Sequence, residues 1–203
     1  MSQINNSTTA AVSAAAGVSD ARGGSPDLAM GKLDLACKSK AEAQQYIGQI
    51  ETAQAKKQDC ATALRSARSL RRGVRGRATQ SEYARAVAAC KHARAGTGSV
   101  PAWLLKFCKS HGINVETPTT VSDESRDTWS DALDMLEKMQ VLNAVCDEAG
   151  IDMPVSADKD ANRQEWERVM VDLQNRIDSI GAEIHAKMRQ IQNCIGEYDS
   201  YTQ

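Results

Sequence analysis

The strongest signal along the chain is a run of apolar positions near its end. Trp166, Met170, Leu173, Ile177, Ile180, Ile184, Met188, Ile191, Ile195 and Tyr198 follow one another at steps of three and four. Such steps keep one face of an α-helix apolar and define a coiled-coil seam. The spacing predicts a helix over 158–201 with one stutter, where two steps of four run through Ile180, Ile184 and Met188 and the supercoil locally unwinds. At ~1.5 Å per residue this helix is about 65 Å long. A weaker seam covers 28–70, with Ala36, Ala43, Ile47, Ile50, Ala61 and Leu64 on one face. Its alanines let another helix come close, and Ser25, Pro26 and Asp27 supply its start signal.

Between the two seams the punctuation is dense. "RRGVRGRATQ" breaks the first helix with two glycines, and Thr79-x-x-Glu82 has the form of a capping box opening a helix over 83–94, which Gly96 stops. In "VPAWLLKFCKSHGINVE", Ser99 or Val100 caps a short helix, Pro101 sits in its first turn and Gly112 ends it. Beyond Pro118, Trp129, Ala132, Leu136, Met139 and Cys146 mark one face of a helix over 129–149, stopped by Gly150, and Pro154 separates it from the last helix. Cys108, Gly112 and Ile113 match Cys146, Gly150 and Ile151 in layout. In a Schellman helix end the glycine takes the left-handed position and the next residue packs on the residue four before the glycine, so each cysteine is assigned to its isoleucine. No strand pattern is found. The chain is expected to be all-α, with residues 1–27, rich in Ser, Thr, Asn, Ala and Gly, disordered.

Composition adds to this picture. Aromatic residues make up 4% of the 203, so helices packed along their length fit better than a large globular core. No apolar run approaches the ~20 residues needed to span a bilayer, and no Sec-type signal opens the chain, so a soluble protein is expected. The six cysteines, Cys37, Cys60, Cys90, Cys108, Cys146 and Cys194, are widely spaced and read as reduced core residues. Cys90, His92, Cys108 and His111 are residues of the types that bind zinc, but Cys90 and Cys108 lie on apolar helix faces and the helix-end layout already accounts for Cys108. No nucleophile–base order, metalloprotease motif or phosphate-binding loop is present. The reading is therefore non-enzymatic, with no catalytic or metal-ligating residue, no cofactor and no small-molecule substrate.

Charge is segregated. Residues 65–94 hold eight Arg and one Lys against one Glu, while 116–178 hold sixteen acidic and six basic residues. Arg65, Arg68, Arg71, Arg72, Arg75 and Arg77, in "RSARSLRRGVRGR", are assigned to pairing with the acidic half of the chain or with an acidic partner. The alternative function is a cytoplasmic helical module that contacts nucleic acid through these arginines. The absence of interleaved aromatics and of a recognition motif counts against nucleic acid.

Three stretches together resemble the EspA/SseB-type secreted proteins of bacterial type III secretion systems. They are "AEAQQYIGQIETAQAKKQDCATALRSAR", "VPAWLLKFCKSHGINVE" and "DKDANRQEWERVMVDLQNRIDSIGAEIHAKMRQIQ". The resemblance implies a long antiparallel hairpin of helices 28–70 and 158–203, with shorter helices of region 71–157 inserted between them, and an export signal within 1–27. It implies export, bound to a cognate chaperone in the cytoplasm beforehand, and assembly at the bacterial surface as a needle tip or translocon filament. Needle subunit and translocators are the implied partners. Leu173, Ile177, Ile184, Met188, Ile191 and Ile195 would then pack on Ala36, Ala43, Ile47, Ile50 and Leu64, and on neighbouring subunits.

Overall fold

The computed structural model describes residues 26–70, 73–96, 99–115 and 123–202. Its elements are α1 (Pro26–Ser69), α2 (Gln80–Arg94), α3 (Ala102–Ser110), α4 (Asp123–Ala149) and α5 (Lys159–Thr202), and the described residues hold no strand. The expectation of disorder falls on residues 1–25, which lie outside the described residues, whereas Pro26 and Asp27 already belong to α1.

Helices α1 and α5, each 44 residues long, form the hairpin. Ser39 reaches Glu197 (3.3 Å), Gln49 reaches Lys187 (2.7 Å) and Lys57 lies over Gly181, so every step up α1 is a step down α5 and the pair is antiparallel. In α1 one row of buried or half-buried positions runs Ala36, Ser39, Ala43, Tyr46, Ile50, Ala53, Lys57, Cys60, Leu64, Ala67. In α5 the matching row runs Trp166, Met170, Leu173, Ile177, Ile180, Ile184, Lys187, Ile191, Cys194, Tyr198, Tyr201. Both lists alternate steps of three and four without a break, so the coil continues in phase and the expected stutter is absent.

This corrects part of the predicted seam. Ile47, Met188 and Ile195 are 42%, 50% and 52% exposed, and Tyr46, Lys187 and Cys194 take the inward positions instead. The physical reason is register: a helix paired along its whole length keeps the face that stays opposite its partner, even where the neighbouring residue is more apolar. Lys187 meets that demand by lying along the interface on its aliphatic stem while its ammonium reaches Gln49 and, at 3.4 Å, Glu183. The remaining assigned positions, Ala36, Ala43, Ile50, Leu64, Leu173, Ile177, Ile184 and Ile191, are buried or half-buried as expected.

Helices α2, α3 and α4 build a head at one end. Ala86, Val87 and Cys90 of α2, Leu104 and Cys108 of α3, and Trp129, Ala132, Leu133 and Leu136 of α4 share one core. A second core joins the head to the hairpin through Tyr83, Met139, Leu142 and Cys146 on one side and Ala63, Leu64, Ala67, Trp166, Val169 and Leu173 on the other. A third, smaller core of Ala53, Cys60, Ile180 and Ile184 lies between α1 and α5, with Val145 near the end of α4 packed against it. Beyond it the hairpin is two helices thick.

The local punctuation acts as the residue types dictate. Thr79 accepts from the Glu82 amide (3.2 Å) and Glu82 accepts from the Thr79 amide (2.8 Å), a complete capping box that starts α2 at Gln80, three residues earlier than expected. The cap of α3 is Pro101 itself, with extended backbone, so the helix opens one residue later than the sequence suggests. Helix α4 begins at Asp123, ahead of the predicted 129. At its far end and at that of α3 the Schellman pattern is present: Ile113 N–H donates to the Cys108 carbonyl and Ile151 N–H to that of Cys146, both at 2.9 Å. Gly112 and Gly150 have φ of +71° and +69°. Gly112 is constrained twice, because a Cβ there would also run into the Gly73 carbonyl.

Candidate assembly surfaces

The strap of residues 73–77, which leaves α1 for α2, ties head and hairpin together. The Gly73 amide donates to Asn162 Oδ1 (3.1 Å), and the Val74 carbonyl accepts from Asn162 Nδ2 (3.2 Å) and Trp166 Nε1 (3.0 Å). On its other edge Arg75 N–H donates to the His111 carbonyl (2.9 Å) and Gly76 N–H to that of Pro154 (2.6 Å). Asn162 also donates to the Ser156 carbonyl (3.2 Å). Asp158 caps α5, accepting from the amides of Asp160 and Ala161 (3.1 and 2.9 Å). Thus the ends of α1, α3 and α4 and the start of α5 converge on one hydrogen-bonded junction.

His111 closes this junction from the head side. Its ring stacks on Phe107 (4.0 Å between centroids) and meets Tyr83 edge-on (5.8 Å). Nδ1 lies 2.8 Å from the Phe107 carbonyl, so Nδ1 carries the proton and Nε2 is the bare nitrogen, buried without a partner. Burial holds the imidazole below its ordinary value; the Phe107 carbonyl and Glu82 oppose the shift, and Arg75 adds to it. The unfolded imidazole takes up a proton below about 6.5 while the buried one resists, so acid favours the unfolded chain. The melting temperature is therefore expected to fall as pH drops from 7 towards 5. In His111→Gln, whose amide can donate to Phe107 but cannot ionise, that part of the fall should vanish. A His111→Gln profile parallel to wild type would refute the assignment.

The arginines do not act as one patch. Arg77 pairs with Asp147 of α4 and approaches Asp152 (3.9 Å). Arg75 is half-buried in the strap, and Arg65 folds back on α1, donating to the Ala61 carbonyl (3.4 Å) and Thr62 (3.0 Å). Arg68 is exposed, while Arg71 and Arg72 lie outside the described residues. Lys91–Glu137 (3.0 Å) and Lys56–Glu148 (2.9 Å) also join basic to acidic regions. These pairs are largely exposed and each contributes at most ~1 kcal/mol, so they orient the head rather than hold it.

Five of the six cysteines are buried and Cys37 is exposed. Burial pushes the Cys90 and Cys146 thiols up to about 12 and that of Cys108 up to about 11, the opposite of what nucleophilic or metal-binding thiols need. Among the described residues no group of three His, Cys, Asp or Glu side chains is placed to hold a metal ion, and no helix is long and apolar enough to cross a membrane.

The surfaces that differ most are the two flanks of the hairpin. One flank carries α4: Ala63 of α1 and Val169 of α5 are buried beneath it, and Lys56 pairs with Glu148 at its end. On the opposite, open flank the register sets Ile47 alongside Met188 and Lys40 alongside Ile195. Leu33, 63% exposed, extends the row towards the free end of the hairpin. Heptad geometry places all four apolar residues on this flank, because corresponding edge positions of antiparallel helices face one another. Periodicity assigned Ile47, Met188 and Ile195 to the helix pair and to neighbouring subunits; within the pair Tyr46, Lys187 and Cys194 take the inward places instead. Comparison with family models, with curated proteins and with solved structures finds no match to this chain.

Proposed function

We propose that this chain is a non-enzymatic structural component of a bacterial type III secretion apparatus. It is exported and assembles at the needle tip or as an extracellular filament, linking the needle to the translocon pore. The observation that carries this reading is the open flank, where Leu33, Ile47, Met188 and Ile195 remain exposed on a hairpin only two helices thick. Side chains of that size on a regular helical edge gain by covering one another on neighbouring subunits. The same surface calls for a chaperone in the cytoplasm before export, and for needle subunit and translocators as later partners.

Met188→Asp combined with Ile195→Asp tests the assembly surface. Both sites are already half exposed, so the fold should survive with unchanged helicity by circular dichroism. Self-association by light scattering should weaken by roughly tenfold per substitution, since each lost burial is worth about 1–2 kcal/mol. A wild-type chain that stays monomeric at high concentration would contradict the reading. In the bacterium, deleting the gene should abolish effector delivery while needles still assemble, and normal delivery without it would refute the proposal.

A further inference from the structure

On the flank that carries α4, the helix ends at Ala149 and the track it occupies does not. A groove of about 480 Å³ continues along the hairpin, between Gln45, Gly48, Gln49, Thr52 and Lys56 of α1 and Arg176, Glu183 and Lys187 of α5. It shares Lys56, Arg176 and Ile180 with the crevice where Val145, Glu148 and Ala149 of α4 meet the hairpin, so groove and α4 track are continuous. We propose that this groove docks an acidic amphipathic helix from a partner protein, lying end to end with α4.

Three features support that occupant. First, the proximal part of the same track already holds a helix, α4, whose last turn presents Glu148 to Lys56 at 2.9 Å. Second, the walls carry Lys56, Arg176 and Lys187 against the single carboxylate Glu183. Lys56 is paired with Glu148 and Lys187 is drawn to Gln49 and Glu183, while Arg176 is exposed with no hydrogen bond or ion pair among the described residues. Third, Gly48 stands in the middle of a 44-residue helix, where glycine is the least favourable residue apart from proline. A Cβ there would meet nothing within 4 Å. No intramolecular packing asks for its small size, while a helix laid in the groove would. Small side chains along one wall let helix backbones approach closely, and the cations supply the charge match that selects an acidic partner.

The inference concerns the flank opposite the assembly surface and stands independently of it. Its test uses the full chain and two fluorescein-labelled helical peptides, one with a leucine stripe flanked by glutamates and one with lysines in their place. The glutamate peptide should bind, lose affinity as salt rises, and bind at least tenfold more weakly to Arg176→Glu/Lys187→Glu and to Gly48→Leu. Gly48→Leu should keep the helicity of the wild type, so its loss reports a filled groove and not a broken fold. Met188→Asp/Ile195→Asp should bind the peptide normally. Absence of binding at millimolar peptide, equal binding of the lysine peptide, or binding unmoved by the groove variants would overturn the proposal. So would a DNA duplex that binds more tightly through the same residues, which would make the groove a polyanion site.

Discussion

Replacing Asn162 with leucine is expected to lower the unfolding free energy by about 3 kcal/mol, although the two side chains are close in size. Asn162 is 1% exposed and satisfies three main-chain groups at once: the Gly73 amide and the carbonyls of Val74 and Ser156. Leucine fills the volume but leaves the Gly73 N–H without an acceptor and the Ser156 carbonyl without this donor, while Val74 keeps its bond from Trp166. A stranded buried donor costs about 1–3 kcal/mol, and the lost carbonyl bonds add roughly 1 kcal/mol each. Asn162→Asp retains the acceptor for Gly73 but turns a carboxylate towards two carbonyls, and should be no better tolerated. Urea denaturation provides the measurement. A midpoint within experimental error of wild type for Asn162→Leu would show that the strap is held by packing and not by these bonds.

Tyr83→Ala should cost about 3–5 kcal/mol, the range for deleting a fully buried aromatic ring. Tyr83 is 0% exposed and lies where the joining core meets the strap, edge-on to Phe107 and His111, with its hydroxyl donating to the Gly76 carbonyl at 3.3 Å. Burial pushes its phenol up, so the hydroxyl remains a donor across the working pH range. Tyr83→Phe, which keeps the ring and loses only that long bond, should cost about 1 kcal/mol or less. The contrast between the two, read from thermal or urea unfolding, separates ring from hydroxyl. Equal losses would mean that the hydrogen bond and not the ring holds the joint.

Much of the architecture is legible in the residues because it is local. The capping box at Thr79 and Glu82 and the two glycine-terminated ends at Gly112 and Gly150 depend on neighbours within six residues, and their patterns suffice. That each of the two regions forms a long helix with an apolar seam is also legible, from periodicity, while their antiparallel pairing is what the resemblance implies. The phase of the seam past Ile184 is not. Met188 and Ile195 are more apolar than Lys187 and Cys194, and only the unbroken register with α1 decides between them. The junction is less legible still. Asn162, Trp166 and His111 meet the strap across separations set by the whole fold, and no local pattern marks a buried asparagine that serves residues 88 and 89 positions away. The groove beyond α4 depends on where α4 stops relative to α5, which again is a long-range fact. Arg77 pairs with Asp147 as charge segregation suggests, but Arg65 folds back on α1, Arg75 is held in the strap and Arg68 is exposed.

Thickness along the hairpin sets a gradient of local stability. Near the junction each turn of α1 and α5 is buttressed by the head, whereas around Ala36, Ser39 and Ala43 the small side chains of α1 meet a single partner helix and nothing else among the described residues. Opening free energies should therefore climb from the free end towards the junction, and amide hydrogens should exchange in that order. A protein that covers the open flank would leave the junction's exchange unchanged and slow it at residues 31–50 and 185–202, so the binding footprint can be mapped by how far this gradient is flattened.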